Sequence, residues 1–219
     1  MPPCRYLETI GLQGEEAHAL ELHRDRVRRT LLHAGAVPEG HPLLEELVPE
    51  RLVARVRAEL GEGYRTEQLY RLSYSYDRET LCELRCLAYA PRRLERLVLW
   101  ELPEDFDYSY KYADRSFFEA VQAELQQGEL PLFVRPDGSL SDTSYTNIVL
   151  WTAAGYRTPE RPLLEGTERR RLLEAGRISA APLTLMDLSA CRGVYLINAM
   201  MPLETAPLLP PPELVIRRV

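Results

Sequence analysis

Tyr110-Lys111-Tyr112-Ala113-Asp114-Arg115 contains the only lysine of the 219-residue chain, and every other basic residue is arginine. Arginine can replace lysine in ion pairs and phosphate contacts, but its guanidinium stays protonated and forms no Schiff base. A primary amine can condense with an aldehyde in this way. A lone lysine can also be a solvated surface residue in an arginine-rich chain, so its meaning depends on the rest of the sequence.

The composition is that of a globular protein and excludes several other classes. The length allows one large domain or two compact ones, and we expect two lobes with a cleft between them. A net charge of −6 with arginines interspersed among glutamates argues against a nucleic-acid partner. No apolar run approaches the roughly 20 residues of a membrane span, and Met1-Pro2-Pro3-Cys4-Arg5 lacks the apolar centre of a signal peptide. We therefore expect a cytoplasmic protein with no membrane partner.

Cysteine and histidine are too scattered to predict a metal site or a disulfide framework. Cys82 and Cys86 have a ligand-like spacing, but no second Cys or His pair lies near them, and residues 80–89 alternate like a strand. The four histidines lie in the first fifth of the chain without a cluster of further ligands. We expect core cysteines and no metal.

The hydrophobic pattern predicts a small α+β N-terminal lobe over residues 1–105. Period-2 alternation indicates strands, and apolar residues at helical spacing indicate amphipathic helices. The predicted elements are a strand at 5–12, helices at 19–34 and about 43–60, and strands at 69–76, 81–89 and 94–102.

A larger α/β C-terminal lobe is predicted over residues 106–219, and it would carry Lys111. The polar, unpatterned segment 103–107 marks the boundary, which would let the amine face the cleft. The predicted elements of this lobe are a helix at 116–127, strands at 131–135 and 147–152, a helix at 167–175, a buried strand at 194–198 and a short terminal strand.

A pyridoxal phosphate enzyme needs more than an amine, and each further requirement has a candidate. A carboxylate must keep the pyridine nitrogen protonated, and a cation with backbone amides must hold the phosphate. Asp142, just after a hairpin turn, could be the carboxylate, although an ordinary turn aspartate fits as well. Gly166-Thr167 at the start of a helix could supply amides, or could be a plain helix start. Arg26 could supply the cation, or belong to a solvated helix face.

Six segments in order along nearly the whole chain resemble the class IV aminotransferases, pyridoxal phosphate enzymes of fold type IV. Residues 7–10 look like the family's first strand, residues 23–27 like its His-x-x-Arg-Leu helix, and residues 111–115 like Lys-x-x-Asn-Arg of its lyase group. Residues 138–148 resemble the family segment Gly-x-x-x-Glu-x-x-x-x-Asn-Ile. The phosphate loop of the family, Thr-Pro followed by Leu-x-Gly-Ile-Thr-Arg, is similar to Thr158-Pro159 followed by residues 164–169. Residues 197–202 resemble Asn-Ala-Leu-Met-Pro of the lyases.

The resemblance implies a two-lobe fold type IV protein with the cofactor in the cleft between the lobes, and a homodimer. It implies that Lys111 forms the Schiff base with pyridoxal 5'-phosphate and moves protons, and that Arg26 contacts the phosphate. Backbone amides of Gly166-Thr167 and Ala199-Met200 would complete the phosphate cup, and Asp142 would face the pyridine nitrogen.

Three departures from the family pattern bear on the predicted site. Asp142 stands where the family has glutamate, which shortens the carboxylate by one methylene. Glu168 occupies a usual threonine position and would put a negative charge near the phosphate unless its side chain points away. The family's glycine-rich opening segment has no counterpart before Leu7, so we expect a more exposed cleft entrance or one completed by a partner subunit.

Three functions remain open at this point. Thr9 lies where the resembling lyases place a threonine that helps elimination, and residues 198–202 are similar to the same group. These positions favour 4-amino-4-deoxychorismate lyase, which releases pyruvate and 4-aminobenzoate in the folate pathway. The alternatives are an aminotransferase of branched-chain or D-amino acids and a non-catalytic module with a decayed cofactor site. Arg71, Tyr74 and Tyr110 are candidates for contacts to a small amino substrate.

Overall fold

A computed structural model describes residues 5–217 of the chain, which divide into two compact units. The first unit extends as far as Pro91 and also includes Tyr110–Asp114, and the second comprises Arg92–Ser109 and the residues from Arg115 onward. Residues 1–4, on which the expected lack of a signal peptide partly depends, lie outside the described residues. No helix within residues 5–217 has the length and hydropathy that a bilayer span requires.

The first unit is built on a four-stranded antiparallel sheet in the order β2-β1-β3-β4. Buried and half-buried residues alternate without exception along the strand predicted at 69–76, which is confirmed residue for residue. The elements in chain order are β1 (Tyr6–Gln13), β2 (Glu16–Ala17), α1 (Leu20–His33), α2 (Pro42–Glu46), α3 (Pro49–Leu60), a 3₁₀ turn (Gly61–Gly63), β3 (Leu69–Tyr76) and β4 (Leu81–Ala88).

The single helix predicted at about 43–60 is two helices, so that prediction was wrong. Val48 has extended backbone angles, φ −127° and ψ 145°, between α2 and α3. A proline disfavours the helical conformation of the residue before it, and it is well suited to the first turn of a helix. Pro49 therefore ends one helix and starts the next, although the apolar residues keep a helical spacing across the break.

An apolar core fills the space between this sheet and its helices. It is formed by side chains of the sheet, α1 and α3, including Ile10, Leu72, Val27, Leu31, Leu52 and Val56. Because side chains alternate along a strand, the face of β1 that carries Ile10 and Glu8 meets this core. Thr9 lies on the opposite face of β1.

Residues 110–114 join the first unit by pairing with β1. The Leu7 amide donates to the Lys111 carbonyl (2.9 Å), the Ala113 amide donates to the Arg5 carbonyl (2.8 Å), and Tyr112 forms an antiparallel bridge with Tyr6. This backbone pairing differs from the predicted boundary at 105/106, which assigned Lys111 to the C-terminal lobe. The local sequence around Lys111 contains no sign of a partner strand about 100 residues earlier.

The second unit contains a five-stranded sheet in the order β10-β9-β8-β11-β12 and a three-stranded sheet in the order β5-β6-β7. In the latter, β5 and β6 are parallel, whereas β6 and β7 are antiparallel. The elements are β5 (Arg96–Glu101), α4 (Ser116–Ala123), β6 (Glu129–Val134), β7 (Leu140–Thr143), β8 (Asn147–Thr152), β9 (Gly155–Pro159), α5 (Thr167–Glu174), β10 (Ser179–Ala181), α6 (Leu185–Ala190), β11 (Gly193–Ile197) and β12 (Leu208–Leu209).

Five short elements of this unit were not predicted: β7, β9, β10, α6 and β12, the last of which lies in the segment 206–212 expected to be a loop before the terminal strand. The strand β7 has the sequence Leu-Ser-Asp-Thr, which has no apolar alternation, yet all four residues are buried. Its extended form comes from pairing with β6, a tertiary effect that local propensity cannot report. The helix α6 did have a sequence signal, because Thr184 and Asp187 form a reciprocal capping box at its start.

Candidate active site

The predicted site residues form two groups, each within one compact unit. Thr9, Arg26 and Lys111 belong to the first unit, and Asp142, Gly166, Thr167, Ala199 and Met200 belong to the second. No three His, Cys, Asp or Glu side chains among residues 5–217 gather into a candidate metal site. Each group can therefore be described by its own contacts.

A buried charged cluster lies between β1 and α1 in the first unit. Arg26 donates from Nε to Glu8 Oε2 (3.0 Å) and from Nη2 to Glu8 Oε1, and His23 Nδ1 lies 2.8 Å from Glu8 Oε1. All three side chains are excluded from solvent. Arg26 was predicted as a phosphate contact, and the structure shows that its guanidinium is held by Glu8.

Opposing effects set the protonation of this cluster. Burial disfavours the charged form of Glu8, but the positive charge of Arg26 and the hydrogen bonds from Arg26 and His23 outweigh it and hold the pKa of Glu8 well below its usual value. Burial lowers the pKa of His23, although Glu8 opposes this effect. Burial therefore favours the neutral form of His23, and because the ionised Glu8 carboxylate can only accept, the proton of this contact lies on His23 Nδ1.

Lys111 lies close to this cluster, since its positive charge adds to the burial that lowers the pKa of His23. Its backbone is in the left-handed region, with φ 54°, which residues other than glycine rarely adopt. The two β1 hydrogen bonds beside it hold this conformation in place. The unique amine of the chain is therefore part of an ordered, charged environment.

Thr9 and Arg71 share the face of the first unit's sheet that lies opposite Glu8. In the strand register Thr9 pairs with Ser73 and Gly11 pairs with Arg71, so the two side chains are on neighbouring strands. Tyr74 lies on the other face and is fully buried in the core. The expectation that Tyr74 contacts a substrate is therefore not supported. The ring of Tyr110 stacks on His33, with 3.7 Å between the ring centroids.

Asp142 is the best-defined acidic candidate in the second unit. Its Oδ2 accepts hydrogen bonds from Asn147 Nδ2 (2.8 Å), the Leu163 amide (2.8 Å) and the Leu164 amide (3.2 Å). Its Oδ1 is buried and has no hydrogen-bond partner within residues 5–217. Burial raises the pKa of Asp142 to about 6, against the opposing effect of these donors.

Gly166 closes the space beside Asn147. A Cβ atom at position 166 would lie 1.9 Å from Asn147 Oδ1, so no other residue fits without moving that side chain. The same Asn147 side chain donates to both Asp142 and the Leu164 carbonyl. Asn147 was quoted within the motif of residues 138–148 but not chosen as a site residue, and only the folded chain shows that it orients Asp142.

Gly166 and Thr167, which were predicted to supply backbone amides for the phosphate, lie at the start of α5. Gly166 is its N-cap and has no side chain to bond these amides, and Thr167 is the first helical residue. A helix N-terminus attracts anions through its amides and its dipole. Glu168 would oppose such binding, but its carboxylate is paired with Arg171 through Oε2–Nε (2.8 Å) and Oε1–Nη2 (2.9 Å).

A tight turn at Asn198–Met201 contains the other two predicted amides. Asn198 Oδ1 accepts from the amides of Met200 (2.8 Å) and Met201 (3.1 Å). The Met200 amide is therefore already engaged, which does not support its predicted contact with phosphate. The Ala199 amide has no hydrogen bond to any residue that the structure describes, so Ala199 is the better candidate in this turn.

Sequence reasoning missed Glu8 and His23 as well as Asn147. Glu8 shares one face of β1 with the apolar residues Tyr6 and Ile10, and His23 and Arg26 are three residues apart on one side of α1. Charged residues at positions that a helix or strand buries usually have partners, because an unpaired buried charge is costly. That pattern was a usable signal for this cluster.

Comparison with known proteins identifies the family of the chain. The model of the family described as amino-transferase class IV matches residues 6–204. An uncharacterized protein of Haemophilus influenzae is 29% identical over 133 residues, which cover 61% of this chain and 69% of that protein.

Two solved structures are similar over most of the chain. A proposed 4-amino-4-deoxychorismate lyase from Haemophilus somnus 129PT is 26% identical, with 91% of this chain and 98% of that chain covered and a TM-score of 0.71. The fold IV-transaminase CpuTA1 from Curtobacterium pusillum is 18% identical, with coverages of 94% and 76% and a TM-score of 0.72, a likeness that concerns the fold alone. The chain therefore belongs to the class IV aminotransferases, a family of pyridoxal-phosphate-dependent enzymes with fold type IV.

Proposed function

We propose that the chain is a pyridoxal-phosphate-dependent 4-amino-4-deoxychorismate lyase that releases 4-aminobenzoate and pyruvate, a step of folate biosynthesis. The observation that carries the cofactor assignment is the buried Oδ1 of Asp142, which has no partner among the described residues. A buried carboxylate oxygen without a donor is costly, and a pyridinium N–H would supply that donor.

We propose roles for further polar groups in binding the same cofactor. The amides at the start of α5 and the Ala199 amide are candidates for its phosphate, and Lys111 is the only side chain able to form a Schiff base with its aldehyde. Arg26 stays a proposed contact to the phosphate through an N–H group, with Glu8 fixing the orientation of its guanidinium. When bound, pyridoxal phosphate supplies an electron sink for the electrons of a breaking C–H bond.

In the proposed reaction, the Lys111 amine removes the proton from the substrate carbon that carries the amino group. The bond between the ring and the enolpyruvyl oxygen then breaks, which leaves aromatic 4-aminobenzoate and enolpyruvate. The proton held by Lys111 is returned to the released enolpyruvate, which becomes pyruvate, and the lysine is again neutral. Thr9 would donate a hydrogen bond to the departing oxygen. Arg71, on the same face of the sheet as Thr9, would attract a carboxylate of the substrate.

Likeness to the Haemophilus somnus protein supports the lyase over an aminotransferase, because it extends over 98% of that chain at 26% identity. Both reactions start by removal of a proton by the lysine. A lyase needs no keto acid, whereas an aminotransferase requires one as amino-group acceptor.

The lyase and aminotransferase activities are separated by supplying 4-amino-4-deoxychorismate alone and measuring 4-aminobenzoate. Product that forms only when a keto acid is added would overturn the lyase assignment.

The cofactor assignment is tested by the visible spectrum. Wild-type protein should be yellow, and borohydride should abolish the band and add the cofactor mass to the peptide that contains Lys111. Lys111→Ala and Lys111→Arg should both lack the band, and Lys111→Arg controls for the loss of charge beside His23. Wild-type protein that stays colourless with added pyridoxal phosphate would instead indicate a non-catalytic module.

We also propose that the enzyme is a cytoplasmic homodimer, as its family resemblance implies. Light scattering coupled to size-exclusion chromatography would measure the mass, for which 25.2 kDa is the monomer value. A monomer at micromolar concentration would contradict this proposal.

A further inference from the structure

We propose that Glu168 is a positioning residue that holds the two backbone parts of the phosphate cup together: the N-terminus of α5 and, through Leu203, the turn at Asn198–Met201. This inference rests on the proposed binding of pyridoxal phosphate. Glu168 replaces the threonine that the family pattern has at this position, so its role is a property of this chain.

The contacts of Glu168 run in two directions. The side chain starts in the first turn of α5 and is completely buried. Its Oε1 accepts a hydrogen bond from the Leu203 amide (3.2 Å), which lies just after the turn that contains Ala199. The same carboxylate forms a two-point ion pair with Arg171 one turn further along α5. A threonine side chain is too short to make both contacts.

The turn that Glu168 anchors is itself held together by hydrogen bonds. Asn198 accepts hydrogen bonds from the amides of Met200 and Met201, and its own amide donates to the Met201 carbonyl (3.1 Å). Movement of the Leu203 backbone would therefore move Ala199 as well. Through Glu168, the Ala199 amide and the amides beside Gly166 are held in one arrangement.

The charge of Glu168 is compatible with a neighbouring phosphate because it is already compensated. Arg171 donates to both carboxylate oxygens, and the Leu203 amide adds a third donor. A paired, fully hydrogen-bonded carboxylate repels a nearby anion less than an unpaired one. If Arg171 were removed, the buried carboxylate would disfavour a phosphate monoester at the start of α5.

The test compares the affinity of the apoprotein for pyridoxal phosphate and for pyridoxal, which lacks the phosphate. Glu168→Gln should weaken pyridoxal phosphate binding about tenfold or more, because a charged hydrogen-bonded group is lost, and leave pyridoxal affinity unchanged. Inorganic phosphate should also compete less well with the cofactor in the variant. Glu174→Gln on the same helix, from the exposed pair with Arg170, is the matched control and should change neither affinity.

Arg171→Gln provides a second variant if Glu168→Gln does not fold, and it should show the same selective loss of pyridoxal phosphate affinity. Equal weakening of both ligands, or a lower melting temperature with unchanged affinities, would show a purely structural role and overturn the inference. If wild-type protein binds pyridoxal phosphate more tightly than pyridoxal and the variants keep the same ratio of the two affinities, only this inference fails. If the wild type binds neither ligand, the proposed function fails with it.

Discussion

Asn147 donates a hydrogen bond from Nδ2 to Asp142 Oδ2 at 2.8 Å, while the second carboxylate oxygen of Asp142 remains buried without a partner in the described chain. Three donors thus orient one oxygen and leave the other for an incoming donor. The carboxylate is costly to bury in this form, which is consistent with its raised pKa of about 6. The apoprotein should therefore carry a local instability that a bound pyridinium relieves.

Asp142→Asn should stabilise the apoprotein at pH 8 by about 1–2 kcal/mol and weaken pyridoxal phosphate binding at the same time. The pKa of Asp142 is raised from 3.8 to about 6, so between these values the folded protein holds more protons than the unfolded protein. The free energy of unfolding of the wild type should fall as the pH rises through this window. Urea unfolding of both proteins from pH 4 to pH 8 measures the difference.

At about pH 4 the two apoproteins should be almost equally stable, since Asp142 is then protonated when folded. Asp142→Glu restores the family residue and serves as the control that keeps the charge. A stability difference between wild type and Asp142→Asn that does not depend on pH would contradict the conclusion that burial raises the pKa of the Asp142 carboxylate.

Gly166→Ala should destabilise the protein by about 1–3 kcal/mol and weaken cofactor binding. The added Cβ would lie 1.9 Å from Asn147 Oδ1, so the Asn147 side chain must move and give up its bonds to Asp142 and Leu164. The cause is steric, because the φ of Gly166 is −65° and suits any residue. Gly63→Ala is a matched control with open space around its Cβ, and equal effects at both positions would refute this account.

Glu8→Gln should destabilise the protein by about 3–5 kcal/mol, because it leaves the buried charge of Arg26 without its carboxylate. The lowered pKa of Glu8 means that its contribution is present above about 4.5 and is lost as the pH falls below that value. The difference from wild type in denaturant unfolding should therefore shrink in acid. Glu83→Gln, from the exposed pair with Arg85, should cause no measurable change.

Thr9→Ala should lower lyase turnover about 10- to 100-fold while the cofactor spectrum and the melting temperature stay close to those of wild type. Thr9 is half-buried on the sheet face away from the core, so loss of its hydroxyl creates no core cavity. Thr9→Ser, which keeps the hydroxyl, should recover most of the activity. Unchanged turnover in Thr9→Ala, measured as 4-aminobenzoate formation, would exclude Thr9 from the elimination step.

Several elements could be predicted from local sequence because their signal is local. The strands β3 and β8 agree with prediction at both ends, and α1 and α5 agree within one residue, since periodic apolar residues and glycine stops define them. The break between α2 and α3 was missed although Pro49 was a visible signal. The strand β7, which carries Asp142, has no local signal and depends on pairing with β6.

The amino-acid sequence was sufficient to identify the family, the fold class and the unique amine, because a single lysine and six ordered motifs are visible without a structure. The pairing of these groups could be known only from the folded chain. In the folded chain Arg26 is hydrogen-bonded to Glu8, and Glu168 is hydrogen-bonded to Arg171 and to the Leu203 amide. The Met200 amide donates to Asn198, and Asp142 Oδ1 has no partner in the described residues. The reason is physical: hydrogen bonds and desolvation depend on distances between atoms, which residues far apart in sequence acquire only when the chain folds.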